Sequence, residues 1–227
     1  MKRGSRTRRN RGGSVVGVGM NGIVYTKPDE IEKKLLPGCV WKDGYVMKAV
    51  ETEANKEWEQ SQILRNENIQ GAIYPEYTCA LQGGETGLLS PNGGESLLEL
   101  FYSNEPIRTQ GHMDTAWGNL GARNIVRNRD KLPKVIDALK TLLDQIKIMN
   151  SKKVFHNDIH EGNIVYDGNT ARLIDFEKMT REDDNKDIPQ IEMLITNLRG
   201  SIRKAGLRKK AVTLKRRTRK RRSSRSK

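Results

Sequence analysis

Acidic residues are missing from both ends of this 227-residue chain, and that segregation limits which part of it can fold. Residues 1–13 hold six Lys/Arg and residues 199–227 hold fifteen, with no Asp or Glu in either stretch. Such runs repel themselves and have few apolar groups to bury, so they are expected to be disordered basic arms. The whole chain is +14 and the arms together are +21, which leaves a mildly acidic middle of −7 over residues 14–198. A middle of that length can bury enough apolar surface to fold alone.

Several classes are excluded. No apolar run approaches the roughly 18 residues of a membrane span. The N-terminus has a positive start but no apolar stretch behind it, so no secretory signal is expected. Cys39 and Cys79 are the only cysteines. Two cysteines make neither a disulfide framework nor a four-ligand zinc site, and an intracellular, reducing compartment is expected.

Hydrophobic periodicity marks the elements of the middle. Residues 15–16 run into a glycine cluster and 23–25 leave it, which predicts strand, glycine turn, strand. Tyr45–Val50 (YVMKAV) predicts another strand, and 52–66, polar but free of Gly and Pro, predicts a helix with a narrow apolar stripe. Residues 71–101 are read as further strands with a connecting hinge at 90–94. After Pro133, the residues Val135, Ile136, Leu139, Leu142, Leu143, Ile146 and Met149 recur at helical spacing. Short strands are expected at 154–155 and 164–166, then a tight Asp167-Gly168-Asn169 turn and a return strand at 171–174. A last amphipathic helix at about 189–199 would bury Ile191, Leu194, Ile195 and Leu198. Sheet first and helices later is an α+β order.

Three segments carry chemistry. Gly17, Gly19 and Gly22 form G-x-G-x-x-G, but β-branched Ile23 and Val24 follow, where a dinucleotide fold would open a helix. A glycine loop between strands can present backbone N–H groups to phosphate, or be an ordinary hairpin. Lys48 lies inside an apolar strand downstream of that loop. There its cation would suit a phosphate, with Glu57 or Glu59 on the next helix to hold it. Asp158 and Asn163 lie on a loop between two short strands, and Asp175 follows the return strand. A hairpin thus brings three oxygen-bearing side chains back to one place. A carboxylate can accept a hydroxyl proton, and an amide oxygen with a second carboxylate can hold Mg²⁺. His156 and His160 have no cysteine near them in sequence, so a transition-metal site is not expected.

The ordered set resembles the protein kinase-like superfamily. It runs from glycine loop through strand lysine, helix glutamate and hinge to His156-x-Asp158-x-x-x-x-Asn163 and Asp175-Phe176, covering about 17–198. The compact size and basic tails are most similar to the short kinases of large DNA viruses. The resemblance implies a bilobal fold, with a small β-rich N-lobe at about 14–92 and a truncated helical C-lobe at about 93–198. It implies an ATP- and Mg²⁺-dependent phosphotransferase, foremost a protein serine/threonine kinase. Gly17, Gly19 and Gly22 would cover the ATP phosphates, and Val24, Val46 and Val165 would sandwich the adenine. Lys48 would pair the α/β-phosphates and be held by Glu57 rather than Glu59. Asp158 would orient or deprotonate the acceptor hydroxyl, and Asn163 and Asp175 would hold Mg²⁺. His156 and Phe176 would be core supports. The implied location is the host cytoplasm or nucleus, or the virion.

The pattern departs from the family in places. Asn157 replaces the arginine that pairs a phosphorylated activation loop, which implies no such switch. His160 stands where a lysine is usual, and Glu177 ends the motif where D-F-G has glycine. H-N-D-I-H-x-G-N with D-F-E is as similar to the aminoglycoside and choline kinase branch, so a small-molecule hydroxyl is the alternative acceptor. No A-P-E follows, one clear helix remains, and Asp187 is a candidate to brace the catalytic loop from below. A third reading is a catalytically weak kinase-fold scaffold on nucleic acid. The tails are either solvating or targeting segments, such as a nuclear address, or bind nucleic-acid phosphate, and lacking aromatics for base stacking they would bind it without sequence preference.

Overall fold

The computed structural model describes residues 15–19, 22–25, 31, 34–50, 54–101, 128–182 and 186–203. Both basic arms lie outside the described residues, apart from 199–203. The described residues form an α+β fold of two compact units. One takes those up to Asn68, Ile73–Asn92 and Asp175–Glu177; the other takes Ile69–Ala72, Gly93–Ile174 and those from Lys178 onward.

The first unit is a five-stranded antiparallel sheet with a helix. Its strands are β1 (Val15–Gly19), β2 (Gly22–Tyr25), β3 (Tyr45–Val50), β4 (Tyr77–Ala80) and β5 (Thr86–Pro91), in the order β1-β2-β3-β5-β4. Gly19 on β1 pairs with Gly22 on β2, so the three glycines lie on two paired strands and β2, not a helix, takes the third. Alternation in β3 sorts its side chains. Met47 and Ala49 are buried with Tyr25, Ile31, Leu81 and Leu89 on one face. Lys48 takes the other face, opposite Val24 on β2 and Leu88 on β5. Helix α1 (Ala54–Asn66) packs against β5 and buries Leu64.

Cys39 and Cys79, expected to form no disulfide framework, are joined to each other by a single bridge with Cα atoms 5.2 Å apart. The register of β4 on β5 places Cys79 opposite Gly87. Both cysteines pack against the same apolar cluster, where a residue 40 positions away in sequence becomes a neighbour.

The second unit has a three-stranded antiparallel sheet, β6 (Glu95–Ser96), β7 (Ile164–Tyr166) and β8 (Ala171–Leu173). Its helices are α2 (Leu97–Phe101), α3 (Leu132–Ser151) and α4 (187–203). The α2 turn falls inside the stretch read as strands and hinge. Ser96 and Glu99 form a capping box, Glu99 N–H donating to Ser96 Oγ at 3.2 Å and Ser96 N–H to Glu99 Oε2 at 3.3 Å. Helix α3 is about 30 Å long by the 1.5 Å rise per residue. It packs on β8 and buries Val135, Ile136, Leu139, Leu142, Ile146 and Met149, while Leu143 is half-buried. Ile191, Leu194, Ile195 and Leu198 are buried on α4.

The strand expected at 154–155 is reduced to one bridge, in which Phe155 and Thr180 exchange two 3.0 Å backbone hydrogen bonds. Two apolar residues are too few to extend a ladder past the turn at Asn157. Among the described residues no helix is long and apolar enough to cross a membrane.

Candidate functional site

In the first unit, one ammonium meets three carboxylates. Lys48 projects from the middle of β3, flanked by strands on both sides, so its backbone is fixed. Its Nζ lies 2.8 Å from Glu57 Oε2, 3.0 Å from Glu177 Oε1 and 3.6 Å from Asp175 Oδ1. Glu57 is buried in the first turn of α1, whereas Glu59 is exposed. The helix therefore presents the first of the two candidate glutamates to the lysine. Glu177 is held at its backbone too, where its carbonyl accepts a 3.1 Å hydrogen bond from Gln60 Nε2. Phe176, between the two carboxylates in sequence, is buried.

Burial works against the charge on Lys48, but Glu57, Asp175 and Glu177 outweigh it and hold the ammonium well above the usual lysine value. Burial pushes Glu57 above the usual carboxylate range against the pull of Lys48, and Asp175 and Glu177 add to the push. The group has more negative than positive charge to place. Asp175 sits in the left-handed region, with φ 63°. Its Oδ1 is buried and has no hydrogen-bond donor among the described residues. Carboxylate oxygens of Glu57, Asp175 and Glu177 lie within 4.8 Å of one another. A donor-free buried oxygen in an all-carboxylate set fits a hard cation such as Mg²⁺.

In the second unit, the loop 156–163 is tied down from several directions. His156 is fully buried, its Nε2 2.9 Å from Ile174 O, while its Nδ1 accepts from Asp158 N–H at 3.3 Å. That pattern puts the ring proton on Nε2. Asp187, at the start of α4, is 1% exposed and accepts the backbone N–H groups of His156 and Asn157, both at 2.8 Å. The Gln190 side chain accepts Ile159 N–H at 3.0 Å. Asn157 holds φ 63°, and its amide donates to Thr180 Oγ1 at 2.8 Å.

These ties present Asp158. Its Oδ2 takes the Lys178 ammonium at 3.0 Å, Asn163 Nδ2 at 3.4 Å and His160 Nε2 at 3.8 Å. Among the described residues every such contact falls on Oδ2, which leaves Oδ1 as the open lone-pair oxygen. His160 Nδ1 accepts from Gly162 N–H at 3.0 Å, so its Nε2 carries the proton turned toward Asp158. His160 lowers the Asp158 carboxyl from 3.8 to about 2, against the upward push of partial burial and with further help from Lys178. Asn163 is buried and spends its amide nitrogen on Asp158 O at 3.1 Å. Its amide oxygen is thereby turned away as an acceptor. Val165 is buried on β7, while Val24 and Val46 are half-buried on the Lys48 face of the sheet.

Sequence reasoning registered Glu177 only as a departure and left Lys178, Thr180 and Gln190 out. Only the 129-residue separation closed by the fold makes Glu177 a partner of Lys48. Compared with protein-family models and with curated protein sequences, the chain matches none.

Proposed function

We propose that this chain is an ATP- and Mg²⁺-dependent phosphotransferase with a bilobal, protein-kinase-like fold, acting on serine or threonine hydroxyls of proteins. The observation that carries the reading is the Lys48 group: a strand lysine bonded to a helix glutamate at 2.8 Å, with the Asp175 carboxylate at 3.6 Å. A lysine so fixed is a preorganised positive point for the α/β-phosphates, and positioning with charge neutralisation is most of what phosphoryl transfer asks of a protein.

In the proposed reaction the acceptor hydroxyl hydrogen-bonds to Asp158 Oδ1. Its oxygen attacks the γ-phosphorus, the bond to the β-phosphate oxygen breaks, and the hydroxyl proton passes to Asp158. His160 keeps Asp158 ionised beforehand through Oδ2. Lys48 steadies the leaving diphosphate. Asp175 in the first unit and the Asn163 amide oxygen in the second would hold the Mg²⁺. Bound Mg²⁺ would neutralise phosphate charge during transfer. Gly17 and Gly19 on β1 and Gly22 on β2 bring bare backbone to the facing ends of the two strands, which suits a backbone cover for phosphates. The basic arms, with 21 cations, associate with nucleic-acid phosphate.

The test is mass spectrometry of the full chain after incubation with Mg-ATP and mixed histones. Phosphate appears with wild type and is lost in Asp158→Ala and Asp175→Ala. Equal labelling by all three, or none by wild type, rejects the reading.

A further inference from the structure

We infer that Lys178 is a catalytic residue, its ammonium binding the phosphoryl group in flight between ATP and the acceptor. The inference rests on the phosphotransferase reading and adds to it a group that no kinase motif in the sequence marks.

The geometry starts from the backbone. The segment that carries Lys178 is laced to the catalytic loop by the paired 3.0 Å bonds of Phe155 with Thr180 and by the Asn157 amide on Thr180 Oγ1. Asn157 also donates to the carbonyl of Lys178 itself at 3.4 Å. The Lys178 main chain is thus held beside Asp158 by hydrogen bonds that need no phosphorylated residue. Its side chain is 66% exposed and reaches Asp158 Oδ2 at 3.0 Å. An acceptor hydroxyl on Oδ1 of the same carboxylate puts its oxygen, and the phosphorus it attacks, within one side-chain swing of that ammonium.

The chemistry then selects the role. During transfer the equatorial phosphoryl oxygens carry the charge, and a lysine is a mobile point charge able to follow them. The acceptor O–P bond forms and the bridging P–O bond breaks, the leaving diphosphate taking the electron pair. The proton goes to Asp158, which lessens its hold on Lys178 at the moment the phosphoryl oxygens need a cation. Lys178 keeps its own protons throughout. An exposed ion pair of no catalytic consequence is the rival, since such pairs contribute little to stability.

The experiment compares wild type, Lys178→Met and Lys178→Arg in the full chain, with Mg-ATP and mixed histones. Lys178→Met should lower kcat by ~100-fold or more, the loss typical of removing one charge-stabilising donor. KM for ATP and the thermal shift given by Mg-ATP should stay within about twofold of wild type, because an interaction made only in the transition state does not hold the ground state. Lys178→Arg should recover much of kcat. The second readout needs no turnover: the added thermal shift from Mg-ADP with aluminium fluoride, a mimic of the phosphoryl in flight, should vanish in Lys178→Met and persist in Lys178→Arg. Unchanged or raised kcat in Lys178→Met, or a retained fluoride response, overturns the inference while the phosphotransferase reading stands. A wild type that transfers no phosphate overturns both.

Discussion

Lys48 is where a single side chain decides most. Its loss leaves Glu57, Asp175 and Glu177 within 4.8 Å of one another with no cation among them. Removing one member of a buried charge group typically costs about 3–5 kcal/mol, so Lys48→Met should be destabilised by that order in urea unfolding at pH 7.5. Glu57 already takes up a proton more readily than an ordinary glutamate. The deficit of Lys48→Met should therefore shrink at pH 5. Glu57→Gln should cost less, because Glu177 still holds the ammonium at 3.0 Å. Lys48 binds its proton more tightly folded than unfolded, so its contribution is complete below the ordinary 10.5 and lost as pH rises through the raised folded value. Wild type should lose stability there and Lys48→Met should not. For Asp158 the sign is reversed: its contribution is present above 3.8 and lost as pH falls through about 2. The choice between Glu57 and Glu59 illustrates what spacing leaves open at this scale. Two positions apart on a helix is about 200° around the axis, so only one can face β3, and packing against β5 selects it.

At the scale of elements, the loop 156–163 is short of regular structure and is held by what packs beneath it. Asp187 accepts two backbone N–H groups, the buried one of His156 and the part-buried one of Asn157. Asp187→Ala should cost about 3 kcal/mol or more, since each orphaned buried donor costs about 1–3 kcal/mol. Asp187→Asn, which keeps one acceptor oxygen, should recover part of that in thermal unfolding. Sequence-level reading reached this brace, and the long helix α3 emerged from its apolar stripe nearly residue for residue. Helix α2 was missed although its signal was present: Ser96-x-x-Glu99 ahead of Leu97, Leu100 and Phe101 is a capping box before an apolar run. The glycine punctuation around it spoke for turns and hid it. Phe155 went the other way, an apolar pair read as a strand that makes one bridge.

For the whole molecule, charge separation is the governing fact. An acidic middle between arms of +21 should bind nucleic acid through the arms, without sequence preference and with steep salt dependence. Removing residues 204–227 should flatten the slope of log affinity against log salt by ~0.9 for each phosphate no longer neutralised, measured by fluorescence anisotropy on DNA of two unrelated sequences. Equal slopes for the full and shortened chains would reject arm-mediated binding. The sequence alone determined most of the strands and helices and which oxygen-bearing residues share a hairpin. All of these are local matters of period, composition and turn chemistry. Tertiary structure alone decided that Glu177 joins Glu57 on Lys48, that Cys39 meets Cys79, and that Lys178 lies on Asp158. Those meetings depend on strand register, helix packing and a backbone turn at Asp175, and no local spacing encodes how chain segments as much as 129 residues apart come to pack together.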